Sequence, residues 1–138
     1  MTGRAVIAGI LVAMLVGRAF GGEKAIEFVD IRKAMKEMTS VQWEEYTKNL
    51  QGKTITWTGW VEDVKKTFTG KYKCLVDMDP PTDQMSVYDV TFRLSESEAK
   101  GLKKDDKIRF KGTIKTVVRA LESLAIDLDF AAILSTKE

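Results

Sequence analysis

From residue 53 onward the chain runs in short segments of alternating apolar and polar side chains, and five of them read as strands, about 53–65, 71–78, 86–94, 107–117 and 124–134. Successive side chains of a strand point to opposite faces. In the first segment Ile55, Trp57, Gly59 and Val61 therefore share one face, and Thr54, Thr56, Thr58 and Trp60 share the other. Gly59 marks either a bulge or the sharp curvature of a small barrel. In the fourth, Ile108, Phe110, Gly112 and Ile114 alternate with Lys107, Arg109, Lys111, Thr113 and Lys115; in the fifth, Leu124, Ile126, Leu128 and Phe130 form the predicted inward face.

Residues 24–50 carry a different period. Ile26, Val29, Lys33, Met35 and Met38 make an imperfect helical face. Thr39-Ser40-Val41-Gln42 then has the form of a capping box, opening a second helix in which Val41, Trp43, Tyr46 and Leu50 lie opposite Glu44, Glu45, Lys48 and Asn49. Gly52 follows where a left-handed residue suits a helix end. The simplest role for this helix is to lie against the strands; gripping a partner with Trp43 and Tyr46 is the alternative. Ser95 with Glu98 predicts a short capped helix between the third and fourth strands. Three strands, a short helix and two more strands is the order of an all-β, five-stranded Greek-key OB-fold barrel, here with an N-terminal helical extension.

The first residues stand apart from this pattern. Arg4 precedes an apolar run from Ala5 to Val16, and Ala19 and Gly21 are small residues suited to a cleavage site. The organisation expected is a cleaved signal peptide over 1–21, a helical extension over 22–51 and the barrel over 52–138, with a cut after Ala19 as an alternative. The run is shorter than the about 20 residues of a transmembrane helix. A periplasmic or secreted protein with no stable membrane insertion after cleavage is thus expected, a retained anchor or a buried helix being the other readings. Cleavage would remove Arg4 and Arg18 from the 22 Lys and Arg, leaving 20 against 20 Asp and Glu. The basic balance would then vanish, and with it any inference of a polyanionic partner from net charge alone.

Chemistry is sparse. There is no histidine, and Cys74 is the single cysteine, so the usual zinc sets and His-assisted nucleophiles are missing and no intrachain disulfide can form. Cys74 fits a buried strand position. Asp77, Asp79 and Asp83 surround Pro80-Pro81 but complete no calcium-loop motif, and a stiff turn is the simpler reading. No enzyme, cofactor or metal is expected.

The chain resembles exported bacterial OB-fold proteins of the tRNA-anticodon-like group. The resemblance rests on Thr39-Ser40-Val41-Gln42-Trp43 with Tyr46, on Gly52-Lys53 leading into Trp57-Thr58-Gly59-Trp60-Val61, and on Leu102-Lys103-Lys104-Asp105-Asp106-Lys107-Ile108 leading into Phe110-Lys111-Gly112-Thr113-Ile114. It covers roughly residues 38–133, departs at Asp106, where such turns often have Gly, and brings no catalytic residues with it.

OB barrels bind near strands two and three and through the loops joining strands one to two and four to five. The first of those loops holds Lys65, Lys66, Phe68 and Lys71, with Lys73 just beyond: cations for phosphates and a ring for a base. These five residues are the candidate ligand-binding set for single-stranded nucleic acid or another oligoanion. An envelope module recognising protein, glycan or a small ligand is the alternative, and a monomer is expected under either reading. The basic face of strand four is expected to be neutralised, because a hairpin centred near residues 119–120 would set Arg109 and Lys111 beside Asp129 and Asp127.

Overall fold

The computed structural model describes residues 25–82, 87–120 and 123–137. The proposed leader lies outside these residues, as does Asp83. The elements, in chain order, are α1 (Phe28–Glu37), α2 (Ser40–Leu50), β1 (Thr54–Lys66), β2 (Tyr72–Asp77), β3 (Val90–Leu94), α3 (Glu96–Gly101), β4 (Lys107–Ala120) and β5 (Ser123–Lys137). Among the described residues no helix is long and apolar enough to cross a membrane.

The strands close into a barrel in the order β1-β2-β3-β5-β4, with β3 and β5 parallel and every other pair antiparallel. With α3 between β3 and β4, this is the OB-fold arrangement. Closure depends on β1 serving two neighbours. Residues 54–60 pair with β4, residues 60–66 pair with β2, and Trp60 is opposite both Lys107 and Asp77. Gly59 makes that bend possible: a Cβ there would lie 2.6 Å from Val76 Cγ1 and 3.1 Å from the Asp77 carbonyl oxygen. A bulge between Val61 and Asp63 completes the turn of the strand.

Inside, Ile55, Trp57, Val61, Ile108, Phe110 and Ile114 are buried as the alternation predicts. Phe92 and Phe110 meet at 5.2 Å between ring centroids. Both capping boxes form, with Gln42 N–H donating to Thr39 Oγ1 and Glu98 N–H to Ser95 Oγ. Gly52 adopts φ 84° after α2. The departure at Asp106 costs the turn nothing, because the left-handed residue is Asp105 (φ 72°) while Asp106 Oδ2 accepts from Lys103 N–H.

The N-terminal helices are part of the core, α2 by the predicted Trp43 and Leu50, and α1 by a face that keeps the predicted Met35 but is otherwise rotated from the expected one. Phe28, Ile31, Ala34 and Met35 are buried, whereas Val29 and Val41 are exposed. Trp57 fixes α1, its indole N–H donating to Ile26 O at 2.8 Å and its ring meeting Phe28 edge-on at 5.6 Å. Arg119, near the tip of the β4–β5 hairpin, donates to Met35 O and Met38 O, both at 2.9 Å, satisfying carbonyls at the end of α1. Its guanidinium lies 5.1 Å from the ring centroid of Trp43, which is buried. A partner-gripping surface built on Trp43 is therefore ruled out.

The β4–β5 register differs from the sequence expectation. The hairpin pairs Ala120 with Ser123, a later turn than expected, and three register shifts follow. Arg109 is opposite Ser135 and Lys111 opposite Ala132, so neither cation pairs with Asp127 or Asp129 as proposed. One shift reverses the facing of Phe130. Thr113 pairs with Asp129 but Lys111 with Ala132, so β5 accommodates an extra residue there. Phe130 takes φ 54° and is 89% exposed instead of joining the core, while Ala131 and Ile133 turn inward in its place.

Candidate functional site

Across the outer face of β1, β2 and β3 runs a row of cations. Lys65 is opposite Lys73, and Lys73 is opposite Arg93, which places the three side chains on one face at about 5 Å spacing between neighbouring Cβ atoms. Among the described residues none of the three has an ion pair or a side-chain hydrogen bond, and the same holds for Lys115 of β4. Like charges directly opposite each other destabilise a sheet. The row is thus a concentration of positive charge with no direct counter-ion among the described residues.

Lys73, Arg93 and Lys115 line a cavity of ≈ 290 Å³. Asp127 and Asp129 of β5 form its acidic side, and Phe130 stands on its rim. Thr67 and Thr69 from the β1–β2 loop close the other side. Asp127 is partly committed, since Thr91 Oγ1 donates to its Oδ1 at 3.0 Å.

The β1–β2 loop is tied by its own hydrogen bonds. Thr67 N–H donates to Lys71 O, Gly70 N–H to Thr67 O at 2.9 Å, and Lys71 N–H to Thr67 Oγ1 at 3.1 Å, with Gly70 at φ 85°. This leaves Phe68 fully exposed at the tip, not folded onto the barrel rim. An aromatic ring held in water by a structured turn is available for stacking.

Of the five residues singled out in the sequence, Lys73 lines the cavity, Lys65 adjoins it in the row, and Phe68 and Lys71 occupy the exposed loop. Lys66 falls on the opposite pleat, opposite Tyr72, with Nζ 5.9 Å from that ring's centroid. Sequence reasoning passed over Arg93, Lys115, Asp127, Asp129 and Phe130 as binding residues. Arg93 was detectable: the period of β3 sets Thr91 and Arg93 on the face opposite Phe92. Phe130 carried no such mark, because a left-handed bulge residue is normally Gly. Holding a bulky side chain in that region costs about 1–3 kcal/mol.

Trp60 does not join the cavity. It is half-buried under Lys107, whose Nζ is 5.5 Å from its ring centroid.

A second polar cluster lies where α1 meets the β2–β3 connection. Asp77, Asp79 and Asp89 bring carboxylate oxygens within 4.8 Å of one another. Arg32 of α1 grips Asp79 with two 3.0 Å hydrogen bonds and approaches Asp89 at 3.9 Å. Backbone amides supply the other partners, Met78 N–H to Asp89 at 3.0 Å and Asp79 N–H to Asp77 at 2.9 Å. Burial pushes the Asp89 carboxyl up to about 6, against the pull of the Met78 amide and Arg32, and burial also raises Asp77. With a guanidinium already supplying positive charge, the group acts as a clamp between helix and barrel. Cys74 is buried, and burial with nearby Asp63 and Glu98 raises its thiol to about 12, so it is inert at neutral pH.

No family model and no curated protein sequence matches the chain. Among solved structures, it is similar to asparaginyl-tRNA synthetase from Pyrococcus horikoshii at 17% identity and a TM-score of 0.41, over 68% of this chain and 22% of the synthetase. It is similar to a small single-stranded DNA-binding protein from Streptomyces coelicolor at 16% identity and a TM-score of 0.39, over 62% of this chain and 91% of that one. A mitochondrial single-stranded DNA-binding protein from S. cerevisiae overlaps at 13% identity and a TM-score of 0.37, over 64% of this chain and all of that one. The chain spans about a fifth of the synthetase's length. Likenesses this loose carry no functional weight, and the barrel assignment rests on the strand order.

Proposed function

We propose that this protein is a non-catalytic binder of single-stranded nucleic acid, exported by the leader at residues 1–21 and akin to the tRNA-anticodon-like group of exported OB-fold proteins. The observation that carries the reading is the row Lys65–Lys73–Arg93, lacking carboxylate partners among the described residues and flanked by the outward rings of Phe68 and Phe130. Phosphates answer the cations and unstacked bases answer the rings.

The test is fluorescence anisotropy of labelled single-stranded DNA and RNA titrated with the protein at low and physiological salt. Binding should weaken as salt rises, through counterion release. Phe68→Ala should weaken it about fivefold or more, since stacking on one aromatic is worth about 1–3 kcal/mol. Charge reversal at Lys73 and Arg93 should reduce both affinity and salt slope. Binding that survives these changes undiminished would refute the site; no binding at low salt would remove nucleic acid and turn the search to an envelope protein, glycan or small ligand.

A further inference from the structure

The cavity beside the cation row is not uniformly basic, and its acidic side constrains what can enter. Asp129 has no hydrogen bond or ion pair among the described residues, and Asp127 keeps one oxygen beyond its bond from Thr91. An ionised carboxylate only accepts hydrogen bonds, so the part of a ligand nearest β5 must carry N–H or O–H donors, whereas the part nearest Lys73, Arg93 and Lys115 must carry acceptors or negative charge. A bare phosphate chain meets the second condition and fails the first.

Phe130 adds the third requirement. Its ring is 89% exposed on a left-handed bulge, so the conformation is disfavoured and the side chain recovers little packing in the free protein. It stands next to Asp129 on the rim of the same cavity. At ≈ 290 Å³ the space is at the lower edge of the about 300–1,000 Å³ typical of ligand pockets, room for one small unit and not a folded chain. An aromatic face, a donor edge and an attached anion describe a nucleotide whose base carries an amino group.

We propose that Phe130 and Asp129 form a base-reading subsite that stacks one base and accepts a hydrogen bond from its exocyclic amine, favouring cytosine over thymine or uracil. Cytosine presents an N4 amino donor where thymine and uracil present O4, an acceptor that a carboxylate repels, and their one edge donor, N3–H, sits between O4 and O2, so a carboxylate accepting from it faces an acceptor on either side. The cations of Lys73, Arg93 and Lys115 hold the adjoining phosphate. This rests on the single-stranded nucleic-acid reading above.

The experiment compares anisotropy titrations of the full chain with oligo-dC, oligo-dT, oligo-rC and oligo-rU of equal length at one salt concentration and pH 7.5. The protein should bind the cytosine oligomers at least about fivefold tighter than their thymine or uracil counterparts. Asp129→Asn should erase that ratio, because an amide can both donate and accept, and Phe130→Ala should weaken both pyrimidines together. Salt-sensitive binding that is lost with Lys73→Glu but does not distinguish the bases would overturn the subsite alone. A preference for RNA over DNA without base preference would overturn it in favour of a ribose hydroxyl as the donor. Failure to bind any oligomer would overturn both this subsite and the reading beneath it. Circular dichroism of each variant separates lost binding from lost fold, and Phe130→Gly, which keeps the bulge without the ring, should reproduce the Phe130→Ala affinity.

Discussion

Replacing Phe130 by Gly and by Ala separates its backbone strain from its side chain by the sign of one difference. A residue with a Cβ in the left-handed region is disfavoured by roughly 1–2 kcal/mol. Glycine avoids that strain but has an unfolded chain with more freedom to lose, which costs about 0.4–1 kcal/mol. At φ 54° the balance favours Gly over Ala by about 0.5–1 kcal/mol. At an ordinary strand position the order reverses, with Gly less stable by about 0.5–1 kcal/mol. Loss of the ring enters both variants equally and is small, because Phe130 is 89% exposed. Urea unfolding followed by the fluorescence of buried Trp43 and Trp57 reads the difference. With a slope of about 1–3 kcal/mol per molar, the Gly midpoint should exceed the Ala midpoint by about half a molar. An Ala variant as stable as the Gly variant would refute the left-handed bulge, and with it the argument that this position is held at a cost for binding.

Gly59→Ala should destabilise the barrel by about 1–3 kcal/mol through overpacking, since the new methyl meets Val76 and the Asp77 backbone and no flexible side chain alone can relieve it; a thermal midpoint within about a degree of the parent would disprove the close approach. Asp89 binds its proton more tightly in the fold than in the unfolded chain, so its own contribution to stability should be fully present below the ordinary aspartate value of 3.8, fade as pH rises through about 6, and be gone above. That gap corresponds to about 3 kcal/mol at most, and Asp89→Asn, which keeps an acceptor for Met78 N–H, should flatten the slope. Parallel stability curves for parent and variant between about pH 4 and 6 would refute the assignment.

The parts of the fold visible in the sequence are those set by neighbours within a few residues. Alternation placed Ile55, Trp57, Val61, Ile108 and Phe110 correctly, and the two capping boxes announced α2 and α3. What escaped depends on pairing across the barrel. The phase of β5 after Asp129 is set by its bulge against β4, and no Gly or Pro marks it, so Phe130 read as core. The Asp77–Asp79–Asp89 clamp unites residues from both sides of the β2–β3 connection with Arg32 from α1, which no local spacing can reveal. The cation row needed the register of Lys65, Lys73 and Arg93, which follows from where β2 and β3 turn.

The N-terminal helices also explain why the candidate site is one-sided. Two loops normally flank an OB barrel's binding face. Here Arg119, near the β4–β5 tip, is held by the α1 carbonyls and covers Trp43, while the β1–β2 loop carries Phe68 into solvent. The end of β4 is thus engaged in holding the fold, while the β1–β2 loop is free to hold a ligand. The same division separates the electrostatics: no residue of the Asp77–Asp79–Asp89 clamp lines the cavity beside Lys73 and Arg93. Acidification should therefore act on stability through the clamp, while salt acts on binding through the cation row. A pH change near 6 that weakened binding as much as it strengthened the fold would mean that the two regions are coupled, and the helices would then belong to the site instead of only sealing the barrel.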